Sequence, residues 1–150
     1  MTVDIIIPTY KPDETLCLLL HKLQGQTFVV HRVIILNTEE KLWKQAAAAY
    51  PIEQVLKELP CEYEVFHIAK KDFDHGGTRN MGASISKADI VLYITQDAMP
   101  ADEHLIEEFI KVFEAHSDIG VAYGRQLPKN DCNIIERFTR RFNYPEKSRI

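Results

Sequence analysis

"VDIIIPTY" (residues 3–10) and the "KPDETLCLLLHKLQGQ" (11–26) that follows it decide how the chain is read. Residues 3–8 are a β-branched apolar run closed by Pro8, the signature of a buried strand. In the next stretch Leu16, Leu19, Leu20 and Leu23 recur at helical spacing. Asp13 or Thr15 can cap that helix and Gly25 can stop it. A strand feeding directly into an amphipathic helix is the opening of a βα unit.

The same alternation runs on. "VVHRVIIL" (29–36) reads as a second strand, and "EEKLWKQAAAAY" (39–50) as a helix interrupted by Pro51. "YEVFHI" (63–68) is a third strand, and "TRNMGASISK" (78–87) a short helix weakened by Gly82. "DIVLYI" (89–94) is a fourth strand. "DEHLIEEFIKVFEAH" (102–116) predicts a helix capped by Asp102, with Leu105, Phe109, Val112 and Phe113 on its apolar face. "IGVAYG" (119–124) reads as a fifth strand and "CNIIERFTRRF" (132–142) as a last helix. The alternation predicts an α/β, Rossmann-like three-layer sandwich: a mostly parallel central sheet covered on both faces, with right-handed crossovers.

Composition narrows the class. With 45% hydrophobic and 27% charged residues, the chain is ordinary globular material. Its 150 residues suffice for one domain with a real core. No apolar run reaches the roughly 18 residues that span a bilayer. The start "MTVDIIIPTY" has neither a basic leader nor a small-residue cleavage site, so no signal peptide is expected. Cys17, Cys61 and Cys132 are odd in number and lack metal-like spacing, as expected of reduced thiols in a cytoplasmic protein. Net charge is −4, unevenly spread: residues 125–150 carry seven Lys/Arg against three Asp/Glu, and the acidic remainder argues against nucleic-acid binding.

In a parallel sheet, ligands collect at the carboxyl ends of the strands. The polar residues gather there: Pro8-Thr9-Tyr10, Asn37-Thr38, "KKDFDHGGTRN" (70–80) and Thr95-Gln96-Asp97. Gly76-Gly77 permits positive φ and close approach of backbone to a ligand, or simply a tight turn. A helix starting near Thr78 would present free N–H groups and a dipole to a diphosphate, with Arg79 adding a charge-assisted contact. His75 can bond a phosphate or sugar hydroxyl, or hold a neighbour. Asp72 and Asp74 read as solvated loop carboxylates. Asp97, at the lip of an apolar strand, is the best candidate for holding Mg²⁺ or Mn²⁺ on substrate phosphates; capping the turn toward Pro100 is the other reading. The remaining histidines, His21, His31, His67, His104 and His116, lack convergent partners in the sequence.

"DIIIPTY", "HGGTRNMGASISKADIVLYITQDAMP" (75–100) and "VAYGRQLP" (121–128) together resemble the N-terminal part of a family 2 glycosyltransferase, in its rhamnosyltransferase-like branch. The resemblance runs from about residue 3 to 147. It implies a GT-A fold and inverting transfer of a sugar, rhamnose by the branch, from a dTDP- or UDP-sugar to a polysaccharide or lipid-linked acceptor. Pro8-Thr9-Tyr10 is similar to the family's nucleotide-contacting start. Arg79 and Asn80 match its "ARN" helix start near the diphosphate. "TQD" stands where the family carries a DxD metal motif, Asp97 matching the second aspartate and Thr95 replacing the first. Asn37-Thr38 stand where many members have an acidic pair.

The resemblance also implies a carboxylate general base well beyond the DxD position, which deprotonates the acceptor hydroxyl. No matching segment occurs before Ile150. Residues 1–150 are therefore expected to be a donor-binding part without its acceptor half, binding but not turning over. The basic end, Arg137, Arg140, Arg141, Lys147 and Arg149, is expected to face an anionic acceptor, lipid head groups at the inner membrane face or further protein. A solvated helix face is the competing expectation, with Ile134, Ile135, Phe138 and Phe142 packed on the sheet or on further structure. A non-catalytic nucleotide-binding module on the same sheet is the main alternative. A nucleotidyltransferase is more distant, since "PTYKPDET" lacks a Gly-rich loop.

Overall fold

The computed structural model describes residues 1–128 and 132–147. Arg149, the last of the basic residues, lies outside them. The chain divides into two compact units, Met1–Lys111 and Val112–Ile150.

The first unit is built on a parallel sheet of four strands: β1 (Val3–Tyr10), β2 (Arg32–Thr38), β3 (Glu62–Ile68) and β4 (Ile90–Tyr93), in the order β3-β2-β1-β4. β1 runs two residues past Pro8 and β2 two past Leu36, so Thr9, Tyr10, Asn37 and Thr38 are strand residues. Register sets Asn37 between Thr9 and His67, and Thr38 between Tyr10 and Ile68.

Alternation sorts the side chains. Ile5, Ile7, Val33 and Ile35 face one layer of helices: α1 (Glu14–Gln24), α3 (Ile52–Lys57) and α5 (Leu105–Ala115), with Trp43 and Ala46 from α2 (Glu40–Ala49). Leu16, Leu20 and Ile52 are fully buried there, each stabilising the fold by about 2 kcal/mol. Ile6, Ile34 and Leu36 face the other side, which α4 (His75–Ile85) covers.

α1 starts where expected, with the Asp13 carboxylate accepting from the Thr15 amide, and Gly25 follows it. α3 is not foreseen in the sequence. Pro51 ends α2 but stands as N-cap of this second short helix, its φ of −77° already helical. α4 starts at His75, three residues before Thr78, because Asp74 caps it by accepting from the Gly77 amide. Gly76 and Gly77 therefore lie in a helical first turn, and no glycine of the described residues has positive φ.

Gly82, which weakens α4 in isolation, lets it seat on the sheet. A Cβ there would stand 2.8 and 2.9 Å from Ile6 methyls and 3.0 Å from Leu36. α5 buries Ile106 and Ile110, while the expected Leu105, Phe109, Val112 and Phe113 are only partly covered. Its start is tied down by Gln26, which accepts from the Ile106 amide and donates to the Asp102 carbonyl.

In the second unit the expected fifth strand does not form. Residues 119–124 pair with no strand, Val121 and Tyr123 are exposed, and the run carries two glycines, which disfavour extended pairing. α6 (Ile134–Asn143) forms as expected, capped by Asn133. Ile134, Ile135, Phe138 and Phe142 are not packed but exposed.

Candidate functional site

All four strand ends of the first unit open on one edge, because the sheet is parallel throughout. On the α1 side of that edge the rim is locked. Thr9 Oγ1 donates to Asn37 Oδ1 over 3.2 Å; Asn37 Nδ2 donates to the Glu39 carbonyl and to His67 Nδ1, each 3.1 Å away. Asn37 is fully buried, so both ends of its amide are engaged within the protein. Glu39, φ 70°, takes up a left-handed conformation costly for a non-glycine residue. It clasps β2 to the turn after β3: its amide donates to the Ile68 carbonyl and its carboxylate accepts from the Lys70 amide.

On the α4 side the rim is open. Pro8, Tyr10 and Thr38 share the face of Ile6 and Leu36. Tyr10 is exposed, and Lys11, also at positive φ, places its ammonium 5.4 Å from that ring's centre. Thr38 is buried and its hydroxyl has no partner, a state that costs about 1–3 kcal/mol unless something bonds it.

The segment after β4 is bound to this rim by one side chain. β4 pairs with β1 only as far as Tyr93 opposite Ile6, extended by the Ile94 amide donating to the Ile6 carbonyl. Gln96 then accepts from the Tyr10 amide at 3.0 Å and donates to the Tyr10 carbonyl at 3.1 Å. Its carboxamide thereby replaces a strand neighbour. Thr95–Ala98 closes as a turn, the Ala98 amide donating to the Thr95 carbonyl, with Thr95 and Asp97 exposed. The Asp97 carboxylate takes no hydrogen bond or ion pair among the described residues, so it does not cap the turn.

α4 begins on this same edge. Tyr93 Oη donates to the Arg79 carbonyl at 2.9 Å, holding the first turns of α4 to the end of β4. Burial pushes the Tyr93 phenol up, against the opposing influence of the Arg79 charge. Arg79 donates one guanidinium N–H to the His75 carbonyl. His75 is exposed with its ring edge-on to Phe73, and Gly76 and Asn80 are exposed too. The helix N-terminus read as an anion cradle already holds an anion of its own, since the Asp74 carboxylate sits on the Gly77 amide. Thr78, expected at the helix start, is buried instead.

The structure thus gathers Tyr10, Gln96, Asp97 and Arg79 around the open rim and leaves Thr9 and Asn37 as its buried support. Sequence reasoning missed Lys11, Glu39, Asp74 and Tyr93. Asp74 alone left a signal, an Asp three residues before a glycine that supplies the capped amide. Four of the remaining histidines do find partners: His67 on Asn37, His31 through Nδ1 donating to Asp4, His21 through Nδ1 on the Cys17 carbonyl, and His104 through Nδ1 on the Glu107 carboxylate. Among the described residues no group of three His, Cys, Asp or Glu could hold a metal by itself. A lone exposed carboxylate fits only a cation whose other ligands arrive with a substrate and water.

The family model described as "Glycosyl transferase family 2" matches residues 4–150. The chain belongs to that family. It is 34% identical to the O-antigen chain rhamnosyltransferase RfbN of Salmonella typhimurium over 99% of its own length and 44% of RfbN's. It is 37% identical to the O-antigen chain rhamnosyltransferase WbaN of Salmonella anatum over 55% of this chain and 26% of that one. The chain therefore spans less than half the length of the curated relatives it matches. Among solved structures, residues 1–349 of S. aureus TarS superpose with a TM-score of 0.61 at 17% identity, covering 86% of this chain and 39% of that one. The likeness supports the GT-A-type reading of the fold, and TarS has also been solved with UDP-GlcNAc.

Proposed function

We propose that residues 1–150 are the nucleotide-sugar-binding part of an inverting glycosyltransferase, with the acceptor-side carboxylate base supplied by sequence these residues lack. The donor is a dTDP- or UDP-sugar, with rhamnose the sugar suggested by RfbN and WbaN, and the acceptor a saccharide or lipid-linked saccharide. Work at the cytoplasmic face of the inner membrane is part of the same proposal. Among the described residues no helix is long and apolar enough to cross a bilayer.

The observation that carries this reading is Asp97. It is an unpaired, exposed carboxylate in a turn that Gln96 fastens to Tyr10, on the edge where α4 brings Arg79. A Mg²⁺ or Mn²⁺ ion held there would neutralise charge on the leaving diphosphate. Arg79, with N–H groups to spare beyond the one on His75, bonds phosphate oxygens. Tyr10 offers its ring face to the nucleoside, the unpartnered Thr38 hydroxyl a hydrogen bond, and His75, Asn80 and Thr95 line the approach. Thr9 and Asn37 act from beneath by fixing the strand ends. Because Asp74 occupies the Gly77 amide, the diphosphate is held chiefly by Arg79 and the cation, with the helix dipole adding little.

Calorimetric titration of UDP and dTDP with and without Mn²⁺ tests this. Binding that Mn²⁺ strengthens at least tenfold, and that Asp97→Ala returns to the metal-free value, is expected. Binding indifferent to both would replace the transferase reading with a non-catalytic nucleotide module. Robust sugar transfer by residues 1–150 alone would refute the absent-base reading.

A further inference from the structure

α6 presents a face whose sequence and exposure disagree with life in water. Ile134, Ile135, Phe138 and Phe142 are 82, 74, 71 and 76% exposed. At 100° per residue these four fall within an arc of about 100°. The Phe138 and Phe142 rings stack, 6.3 Å apart and 16° from parallel, so the stripe is continuous along its last two turns. Arg141 and Arg137 border the arc on one side, and Glu136, Thr139, Arg140 and Asn143 occupy the rest of the circumference. The helix needs no partner to close its ends. Asn133 caps the Glu136 amide at 2.8 Å, Arg140 pairs with Glu136 across one turn and bonds Gln126, and the Tyr144 amide returns to the Arg140 carbonyl.

We infer that α6 is a membrane-surface helix, its Ile134–Ile135–Phe138–Phe142 face entering the headgroup–acyl boundary of an anionic bilayer while Arg141 and Arg137 meet lipid phosphates. The pattern fits a lipid surface: a narrow, strongly apolar face beside arginine, in ten residues too few to span. Charge selects the occupant. Residues 125–150 carry seven basic against three acidic residues, in a chain whose net charge is −4. An anionic surface attracts such a segment and leaves the acidic remainder facing water. Two copies of α6 laid antiparallel, face to face, would set their bordering arginines on the same side, which opposes that pairing. The inference rests on the membrane-face part of the proposed function and is independent of nucleotide binding, so the two fail separately.

Co-sedimentation of the full 150-residue chain with phosphatidylcholine vesicles, with and without roughly a third phosphatidylglycerol, is the test. Binding is expected to rise at least tenfold with the anionic lipid and to fall at high salt. Phe138→Glu with Phe142→Glu should abolish it, while Arg141→Gln should weaken it about fivefold. Circular dichroism and UDP titration of each variant, both expected to match the wild type, separate loss of lipid binding from loss of fold or site. No sedimentation with anionic vesicles, or sedimentation that survives the double substitution, overturns the inference. So does a dimer that the double substitution dissociates in a chain that ignores vesicles.

Discussion

The side chain of Gln96 holds both main-chain groups of Tyr10, at 3.0 and 3.1 Å, and so joins the turn bearing Asp97 to the last residue of β1. Two neutral hydrogen bonds of this kind contribute about 1 kcal/mol each. Both are exposed, so global stability should change little in Gln96→Ala. The local effect should be larger. The Tyr10 amide is expected to exchange with deuterium about tenfold faster, and Mn²⁺-dependent nucleotide affinity to drop because Asp97 is no longer positioned. Unchanged exchange at Tyr10 would show that the backbone alone holds the turn.

Gly82→Ala sets two effects against each other. Alanine in place of glycine favours a helix by about 1 kcal/mol. Its Cβ would meet two Ile6 methyls below 3.0 Å and Leu36 at 3.0 Å, and all three atoms belong to fully buried side chains. Overpacking of that kind costs about 1–3 kcal/mol. Urea unfolding should therefore show a net loss of about 1 kcal/mol. A gain would mean that α4 can lift from the sheet without cost.

The parallel sheet was legible because its strands are short β-branched runs between helix-forming segments, and β1 to β4 follow the order the sequence predicts. What composition could not show was how neighbours decide between equivalent patterns. In α5, Leu105/Phe109/Val112 and Ile106/Ile110 both repeat at helical spacing. Gln26, some eighty residues away, fixes the start of the helix at Ile106 and so selects which stripe is buried. Two glycines in the first turn hid the start of α4, since propensity argues against a helix there and the Asp74 cap argues for it. At the rim, Thr9, Tyr10, Asn37 and Thr38 were recognisable as strand-end residues. That Thr9 and Asn37 would be consumed by each other while Tyr10 stays open depends on which face of the sheet each occupies, and this followed only once β1 and β2 were seen to extend through them.

Asp74 separates helix capping from ligand binding. Asp74→Asn keeps a good cap and should leave the thermal midpoint almost unchanged, whereas Asp74→Ala should lose about 1 kcal/mol. Removing the carboxylate also removes a negative charge from the helix end that faces the proposed diphosphate. UDP affinity in Asp74→Asn is expected to rise severalfold, most clearly at low salt. A fall would indicate that Asp74 bonds the donor directly.

Acid stability should follow two carboxylates far from the rim. Burial alone would raise Asp4, but hydrogen bonds from His31, Ser86 and Arg32 together outweigh it and hold the group below its ordinary 3.8. Glu107 is drawn down to about 2 by Lys111, His104 and Thr27. For a group whose folded value is depressed, the stabilisation is present above the unfolded value and is lost as pH falls through the folded one. Unfolding free energy should thus decline from about pH 4.5 downward, and Glu107→Gln should flatten part of that decline. His104 has the opposite sign. Its hydrogen bond to Glu107 raises it above 6.5, so its contribution is present below that pH and fades as pH climbs through the raised value. An NMR titration should find His104 returning toward 6.5 in Glu107→Gln. Asp4→Ala is the severe case: it leaves Arg32, only 12% exposed, with Glu64 as its sole remaining carboxylate partner, and should cost about 3 kcal/mol across the neutral range in urea melts. A loss confined to low pH would instead mean that Asp4 matters only through its protonation.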